Sequence, residues 1–130
     1  MPLTLRNLLI ALGLLCSVMA AFAKPEPEDV SIVQLLANPK EYDGKFVRLI
    51  GYVALEFEGT AIFLHKEDCD HALMANGLWL DVDEAVLKKR KEYHHKYVLI
   101  EGTFNAKNKG HLGAWPAAVE KISRWYIWKQ

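Results

Sequence analysis

The first half of the chain changes from a helical to a strand-like pattern of apolar positions at a single turn. The segment SIVQLLANP (residues 31–39) places Ile32 and Leu35 on one helical face and ends at its proline. Either Asp29 or Ser31 can cap its start. A YDGK turn then leads into the first of several strand-like runs. The pattern therefore predicts a short N-terminal helix followed by a β-rich domain.

Runs rich in Val, Ile and aromatic residues predict strands at residues 46–59, 60–65, 77–82, 97–104 and 117–122. Between the third and fourth, the pattern becomes helical over DVDEAVLKKRKEYHHK (residues 81–96). Asp81 or Asp83 caps this helix, and its acids precede its Lys and Arg, which suits the helix dipole. We interpret the basic run as a solvated helix end rather than a surface for phosphate or lipid. Adjacent residues diverge on a helix, so His94 and His95 are expected to face different sides and to chelate poorly.

The element order is a helix, three strands, a helix and two strands. This is the order of the five-stranded Greek-key barrel called the OB-fold. The first and fourth strands carry Gly51 and Gly102 at matching positions of a Val-x-x-x-Gly pattern. Glycine allows the bend or bulge that a small barrel requires in its longest strands. We therefore predict a mainly β OB-fold barrel with an N-terminal helix and a helix between strands 3 and 4. The alternative is an open α+β sheet.

The N-terminus has the pattern of a secretory signal peptide. Arg6 precedes an apolar run that ends in Ala-Phe-Ala, and small residues at Ala21 and Ala23 predict cleavage after the latter. An uncleaved anchor is the alternative, but the run is shorter than the roughly 20 residues that a spanning helix needs. The sequence thus predicts a signal peptide at 1–23, a linker at 24–29 and one OB-fold domain at 30–130. We expect a periplasmic protein without a membrane span after cleavage.

Composition and charge argue against several classes of function. The chain has 16 basic and 16 acidic residues, so no general attraction to polyanions is expected. After cleavage, Cys69 is the one remaining cysteine, which excludes an internal disulfide. The remaining serines, Ser31 and Ser123, border predicted elements, and no glycine-rich phosphate loop precedes a helix. We therefore predict no catalytic residue, no cofactor and no enzymatic activity.

Three stretches carry a resemblance to known proteins: LLANPKEYDGKFVRLIGYV (35–53), NGLWLDV (76–82) and EGTFNAKNKGHLGAWPAAVEKISR (101–124). Together they resemble a group of small secreted bacterial OB-fold proteins, most of which have no assigned function. The resemblance extends over residues 30–124, and its K-G-H-L-G piece is the most specific part. It implies the fold and export, and it implies no reaction. His65, Cys69 and His71 do not belong to the pattern.

The segment LHKEDCDHALM (64–74) brings possible metal ligands together in sequence. His65, Cys69 and His71 are residue types that bind zinc, and one of the histidines is a possible base for a reactive thiol. Their spacing is not an established zinc spacing, and the acidic residues between them suit a solvated connection. We favour a polar loop without metal. A small metal- or thiol-dependent protein that uses this loop is the alternative function.

OB-folds commonly bind oligonucleotides or oligosaccharides on the face of strands 2 and 3, between the loops after strands 1 and 4. Here the first loop carries Glu56 and Glu58, which would repel a phosphate backbone, so nucleic acid is not expected as a partner. The other loop supplies Lys109, His111 and Trp115, and we predict a binding site there for a protein, peptide or saccharide. In the alternative interpretation, Trp115 only folds the loop over the barrel end.

The tail RWYIWKQ continues the alternating pattern beyond the predicted last strand. Trp125 and Ile127 would then pack inward, while Tyr126 and Trp128 would face outward and offer a surface to a partner. We favour packing of these rings against the first helix, with a partner surface as the alternative. We interpret the chain as a secreted binding or interaction module.

Overall fold

Residues 23–129 are described by a computed structural model, and the predicted signal peptide, apart from Ala23, lies outside them. The strands are β1 (Glu28–Asp29), β2 (Phe46–Ala54), β3 (Ala61–Phe63), β4 (Gly77–Leu80), β5 (Lys96–Asn105) and β6 (Ala118–Ile127). The α-helices are all short: α1 (Ile32–Ala37), α2 (Pro39–Tyr42), α3 (Lys66–Asp70), α4 (Glu84–Lys88) and α5 (Arg90–Tyr93). Two 3₁₀ turns lie at Met74–Asn76 and His111–Gly113. Within residues 23–129, none of the helices has the length and apolar character needed to cross a membrane.

The strands close into a five-stranded barrel. β2 pairs antiparallel with both β3 and β5, β3 pairs with β4, and β5 pairs with β6. A parallel pairing of β4 with β6 completes the ring, through Trp79 opposite Ala118 and Leu80 opposite Val119. The short β1 adds to the outer side of β2. The predicted OB-type barrel is therefore confirmed, and the open sheet is excluded.

The barrel interior is filled by alternate residues of the long strands, as the two-residue period of a strand requires. Side chains of all five barrel strands lie in one buried cluster that includes Leu49, Ile62, Leu78, Ile100 and Val119. Two residues of α1, Ile32 and Leu35, are almost fully buried in the same cluster. Burial of this apolar surface is the main stabilising term of the domain.

Ser31, rather than Asp29, caps α1. The Ser31 Oγ accepts a hydrogen bond from the backbone N–H of Gln34 at 3.1 Å, and the Gln34 side chain accepts one from the Ser31 backbone N–H at 2.8 Å. This reciprocal pair is a capping box, which satisfies two backbone donors at the helix start. Asp29 instead lies in β1 and pairs with Arg48 at 3.2 Å.

The two strand glycines differ in their roles. The register of β5 against β6 shifts between Glu101 and Thr103, so Gly102 lies in the predicted irregularity. Gly51, in contrast, lies in a β2–β5 ladder of continuous register, opposite Val98, and no bulge occurs there. A Cβ on Gly51 would lie 2.6 Å from the carbonyl oxygen of Phe63. Gly51 therefore allows β3 to approach β2 closely.

A buried carboxylate is held in the barrel wall by two cations. The Glu101 Oε1 accepts hydrogen bonds from Arg48 Nε at 2.8 Å and from Arg124 Nη1 at 2.9 Å. Burial acts to raise the pKa of Glu101, but the hydrogen bonds from Arg48 and Arg124 outweigh it and the pKa is lowered. The arrangement ties β2, β5 and β6 together on the outside of the barrel.

The predicted helix over 81–96 is two short helices, α4 and α5. Asp83 caps the first by accepting a hydrogen bond from the backbone N–H of Val86 at 2.9 Å. Helical geometry ends at Tyr93, since His94 is extended (φ −62°, ψ 132°) and His95 has a φ of +59°. The backbone N–H of His95 donates to the carbonyl of Val53 at 2.8 Å, so pairing with β2 replaces the helix.

The last strand is longer than predicted and runs through the aromatic tail to Ile127. Trp125 and Ile127 pack against the core, while Tyr126 and Trp128 keep about half of their surface exposed. The alternation proposed for the tail is therefore confirmed. The segment predicted as a polar loop at 64–74 also differs, because it contains α3 and a 3₁₀ turn.

Candidate functional site

A cleft of about 330 Å³ lies between the β2–β3 loop and the β5–β6 loop. These are the two loops between which the OB-fold ligand site was predicted. Phe63 of β3, Met74 and Trp115 provide an apolar floor, while Glu58 and His111 line it from the two loops. The structure thus brings together residues from four segments that are far apart in the sequence.

Trp115 is a structural part of the floor. Its side chain is 6% exposed, and its ring lies 5.5 Å from Phe63 and 6.1 Å from Trp79, centroid to centroid. The expectation of a partly exposed Trp115 ring is wrong, because the loop folds it down onto the barrel. Trp79 is itself partly buried. Trp115 borders the cleft but offers it no broad free face.

Lys109 does not line the cleft. Its ammonium group donates to the carbonyl oxygens of Ala106, at 2.9 Å, and of Pro116. The backbone carbonyl of Lys109 also accepts a hydrogen bond from the Trp115 backbone N–H at 3.0 Å. Lys109 therefore fixes the fold of the β5–β6 loop, and of the three predicted ligand residues only His111 and Trp115 border the cleft.

A contact between His111 and Glu58 joins the two loops across the cleft. The Nε2 atom of His111 lies 3.2 Å from the Glu58 Oε2 atom, and both side chains are partly exposed. Each loop has a strained backbone at this place, since Glu58 and Leu112 both have a φ of +55°. Non-glycine residues in such conformations are concentrated at binding sites. Leu112 itself is 89% exposed at the edge of the cleft.

His65, Cys69 and His71 do not form a cluster of metal ligands. Ring nitrogens of the two histidines contact other groups: His65 Nδ1 lies 3.6 Å from the Asp68 carboxylate, and His71 Nδ1 lies 2.9 Å from the carbonyl of Glu67. The buried Asp68 accepts from the His65 backbone N–H at 3.0 Å and from the Asn76 amide at 2.8 Å, and so holds this segment together.

Cys69 lines the cleft as a thiol. Burial, followed by the charges of Glu56 and Asp70, raises the pKa of the Cys69 thiol, and Lys66 opposes this only in part. A raised pKa keeps the group protonated at neutral pH, whereas nucleophilic attack and metal binding both require the thiolate. The environment of Cys69 therefore disfavours the thiol chemistry that the sequence leaves open.

A cluster that the sequence did not predict lies beside the cleft. The Nε2 atoms of His94 and His95 lie 4.0 Å and 3.7 Å from the Glu56 Oε1 atom. The two imidazole rings stack with centroids 3.7 Å apart, and Tyr52 stacks on His95 at 5.9 Å. Among residues 23–129, this is the one group of three or more His, Cys, Asp or Glu side chains whose potential ligand atoms all lie within 4.8 Å of one another. The expectation that the two histidines diverge is wrong, because the helix ends before them.

The tautomer of His94 does not suit metal binding. Its Nδ1 accepts a hydrogen bond from the Leu55 backbone N–H at 3.0 Å, so the neutral ring carries its proton on Nε2. The nitrogen that faces Glu56 is therefore a donor and has no lone pair for a metal. Stacked rings also direct their lone pairs nearly parallel, whereas a shared metal requires them to converge. The cluster is better described as two stacked rings beside a carboxylate, with His94 hydrogen-bonded to the Leu55 backbone.

His94 and Arg90 together hold the start of the β2–β3 loop. His94 Nδ1 accepts a hydrogen bond from the Leu55 backbone N–H, and Arg90 Nε donates one to the carbonyl oxygen of Leu55 at 2.5 Å. Burial, followed by the charges of His95 and Arg90, lowers the pKa of His94, against the opposite effect of Glu56. The ring is therefore neutral at neutral pH, which is the state that can accept the Leu55 N–H.

A larger cavity of about 440 Å³ lies on the other side of β2, near Ser31, Arg48 and Trp128. Its main charged group is Arg48, which is already bound to Asp29 and Glu101. Its polar groups therefore serve the fold. The cleft between the two loops is the better candidate because Glu56 and Glu58 face solvent, and neither is paired with a Lys or Arg among residues 23–129.

No protein-family model matches the chain, and no curated protein matches it in sequence.

Proposed function

We propose that the protein is an exported binding module that holds a segment of a partner protein or peptide in the cleft between the β2–β3 and β5–β6 loops. One observation carries the proposal: the two loops that border this cleft carry the two most exposed large apolar side chains among residues 23–129. Phe57 is 91% exposed on one loop, and Leu112 is 89% exposed on the other. Large apolar side chains at a cleft are typical of sites that bind other proteins.

The polar groups around the cleft favour a protein segment over a saccharide. Sugars are bound by exposed aromatic faces and by free hydrogen-bonding groups, but the Trp115 ring is packed between Phe63 and Trp79. Side chains of the β5–β6 loop that suit sugar hydroxyls are used internally: Asn108 donates to Glu120 at 2.8 Å, and Lys109 donates to backbone carbonyls. Glu56 and Glu58 continue to argue against nucleic acid as a partner.

The alternative of a metal- or thiol-dependent protein has less support. Cys69 has a raised pKa, and His65 and His71 contact other groups. The Glu56–His94–His95 cluster has the wrong tautomer for a shared metal at His94. A binding role requires none of these groups to react.

Export is part of the proposal and rests on the N-terminal sequence. The pattern of Arg6, an apolar run and Ala-Phe-Ala predicts removal of residues 1–23. Intact-mass measurement of protein recovered from the periplasm should give a chain that begins at Lys24. A membrane-bound species that retains Met1 would contradict the export proposal.

Position-specific cross-linking in cells tests the binding role. A photoreactive amino acid is placed at Phe57 or Leu112, and as a matched control at Val33, which is 53% exposed on α1. We expect one and the same discrete adduct from positions 57 and 112 and none from position 33. Equal adducts at all three positions, or none at positions 57 and 112, would overturn the proposal.

A further inference from the structure

We infer that the bound segment carries a large apolar side chain next to Lys or Arg. The inference rests on the proposed function and specifies its partner. The cleft determines the apolar part of this description, and the charges at its mouth determine the cationic part.

The cleft has the size and lining for one large side chain. Its volume of about 330 Å³ lies at the lower end of the range for small-ligand sites, which is roughly 300–1,000 Å³. Met74 and Leu112 add flexible apolar surface to the rings of Phe63 and Trp115. Methionine adapts to irregular partners because it is unbranched and polarizable. This floor would bury an aromatic or long aliphatic side chain of the bound segment.

Two carboxylates lie at the mouth of the cleft. The side chains of Glu56 and Glu58 are 55% and 52% exposed, and both also line a neighbouring cleft of about 480 Å³ that Phe57 borders. A segment lying across the β2–β3 loop would therefore pass both carboxylates. Both carboxylates lie beside the apolar floor, where they could form ion pairs with a cation of the bound segment.

Within the described part of the chain, the side chains nearest to these carboxylates in the ion-pair geometry are imidazoles, and neither carboxylate is paired with Lys or Arg. Glu56 lies within 4.0 Å of His94 and His95, and Glu58 lies within 3.2 Å of His111.

The cations nearest to the cleft have other partners. Lys66 pairs with Asp70, Arg90 donates to the Leu55 carbonyl, and Lys109 donates to carbonyls of its own loop. None of these three cations forms an ion pair with Glu56 or Glu58, so both carboxylates are open to a cation of a partner. Opposite charge on a partner is favoured at such a site, while a like charge is excluded.

Three synthetic pentapeptides test the inference, with Phe flanked by two Lys, Phe flanked by two Glu, or Ala flanked by two Lys. Binding is measured by calorimetry at pH 7.5 in low salt, with the full mature chain. We expect the Lys-Phe-Lys peptide to bind at least about tenfold more tightly than either other peptide, since two exposed charge contacts add to the burial of the ring.

Matched variants locate the charge. The double variant Glu56→Gln/Glu58→Gln should weaken binding of Lys-Phe-Lys by about fivefold or more, while Glu26→Gln/Glu41→Gln, with the same change in net charge at exposed sites, should not change it. The variant Leu112→Ser should weaken binding without changing the preference for Lys over Glu. Thermal melting of each variant verifies that it is folded.

The outcomes separate this inference from the binding role. Equal affinities for the Lys- and Glu-flanked peptides, or equal losses in the two double variants, would overturn the inference. If adducts at positions 57 and 112 persist in that case, the binding role stands and only the chemistry of its partner is wrong. Absence of both adducts and peptide binding would overturn both.

Discussion

A Cβ atom on Gly110 would lie 2.6 Å from the Cδ1 atom of Trp115 and 2.7 Å from the ring of Trp79. The glycine also has φ +64° and ψ −159°, a conformation that is essentially restricted to glycine. Backbone conformation and ring contacts therefore require the same residue at this position. Gly110 allows the β5–β6 loop to lie directly on the two tryptophans, and so it shapes the floor of the cleft.

We expect Gly110→Ala to lower the free energy of unfolding by about 2–5 kcal/mol, the sum of backbone strain and overpacking. Denaturant unfolding followed by tryptophan fluorescence measures the change. Gly113→Ala is the matched control: Gly113 also has a positive φ, of +67°, but a Cβ there would meet nothing within 4 Å. Gly113→Ala should lower the free energy of unfolding only by the backbone strain. Equal losses of stability in the two variants would show that the ring contacts at Gly110 do not matter.

Trp115 gives a second prediction. Because its ring is buried between Phe63 and Trp79, Trp115→Ala should lower the free energy of unfolding by about 3–5 kcal/mol. Tyr126→Ala, at a site that is 55% exposed, should change it by less than about 1 kcal/mol. A small effect at Trp115 in urea unfolding would mean that the loop is open in solution.

The barrel was predictable because its signals are local. The strand period, the position of Gly102 and the capping residues Ser31 and Asp83 act through neighbours in the sequence. The placement of Trp115 was not predictable, because it depends on Trp79, which lies on a different strand. The sequence indicated both loops that border the cleft, but not the contribution of Cys69 and Met74, which come from a separate segment.

The histidine pair shows a second limit. EYHHK contains no glycine or proline to stop a helix, and helical geometry would separate His94 from His95. The helix ends because the His95 N–H pairs with the Val53 carbonyl of β2, a partner about forty residues earlier. The stacked rings are therefore a product of sheet formation.

Gly51 provides a third prediction. Gly51→Ala should lower the free energy of unfolding by about 1–3 kcal/mol, since its Cβ would meet the Phe63 carbonyl oxygen and Ile62 at 2.6 Å. Gly59→Ala is the control, because its nearest neighbours lie at 3.6 Å or more and its φ is not positive. We expect no loss there, and a gain of up to about 1 kcal/mol from the stiffer unfolded chain. Thermal unfolding of both variants measures the contrast.

The fourth prediction concerns metal. Protein purified without chelator or affinity tag should contain well under one zinc per chain, because the ligands at 65–71 do not converge and the His94 Nε2 carries a proton. Elemental analysis measures the content. If one zinc per chain is found and is lost in Cys69→Ser, the metal site lies at residues 65–71. If it is lost in His95→Ala instead, the site lies at the histidine pair. A chelator that lowers the melting temperature would also contradict this prediction.

The last prediction follows from the hydrogen bond between His94 and Leu55. The pKa of His94 is lowered in the folded state, by burial first and then by His95 and Arg90. As pH falls through the ordinary value of 6.5, the unfolded chain takes up its proton first. Because the unfolded state then binds more protons than the folded state, the free energy of unfolding decreases as pH falls. The contribution of His94 is therefore complete above pH 6.5 and is lost between that pH and the lower pKa of the folded protein.

His94→Asn isolates this effect. The Asn side-chain oxygen can accept the same hydrogen bond from the Leu55 N–H, but it does not titrate. We expect the parent to lose more stability than His94→Asn between pH 7.5 and 5, by about 1.4 kcal/mol for each unit by which the pKa is lowered. His71→Asn, at an exposed site, should follow the parent. Urea unfolding across this pH range measures the three curves, and parallel curves for the parent and His94→Asn would show that the imidazole does not hold the loop. Because Leu55 begins the loop that carries Glu56 and Glu58, protonation of His94 would also loosen that wall of the cleft.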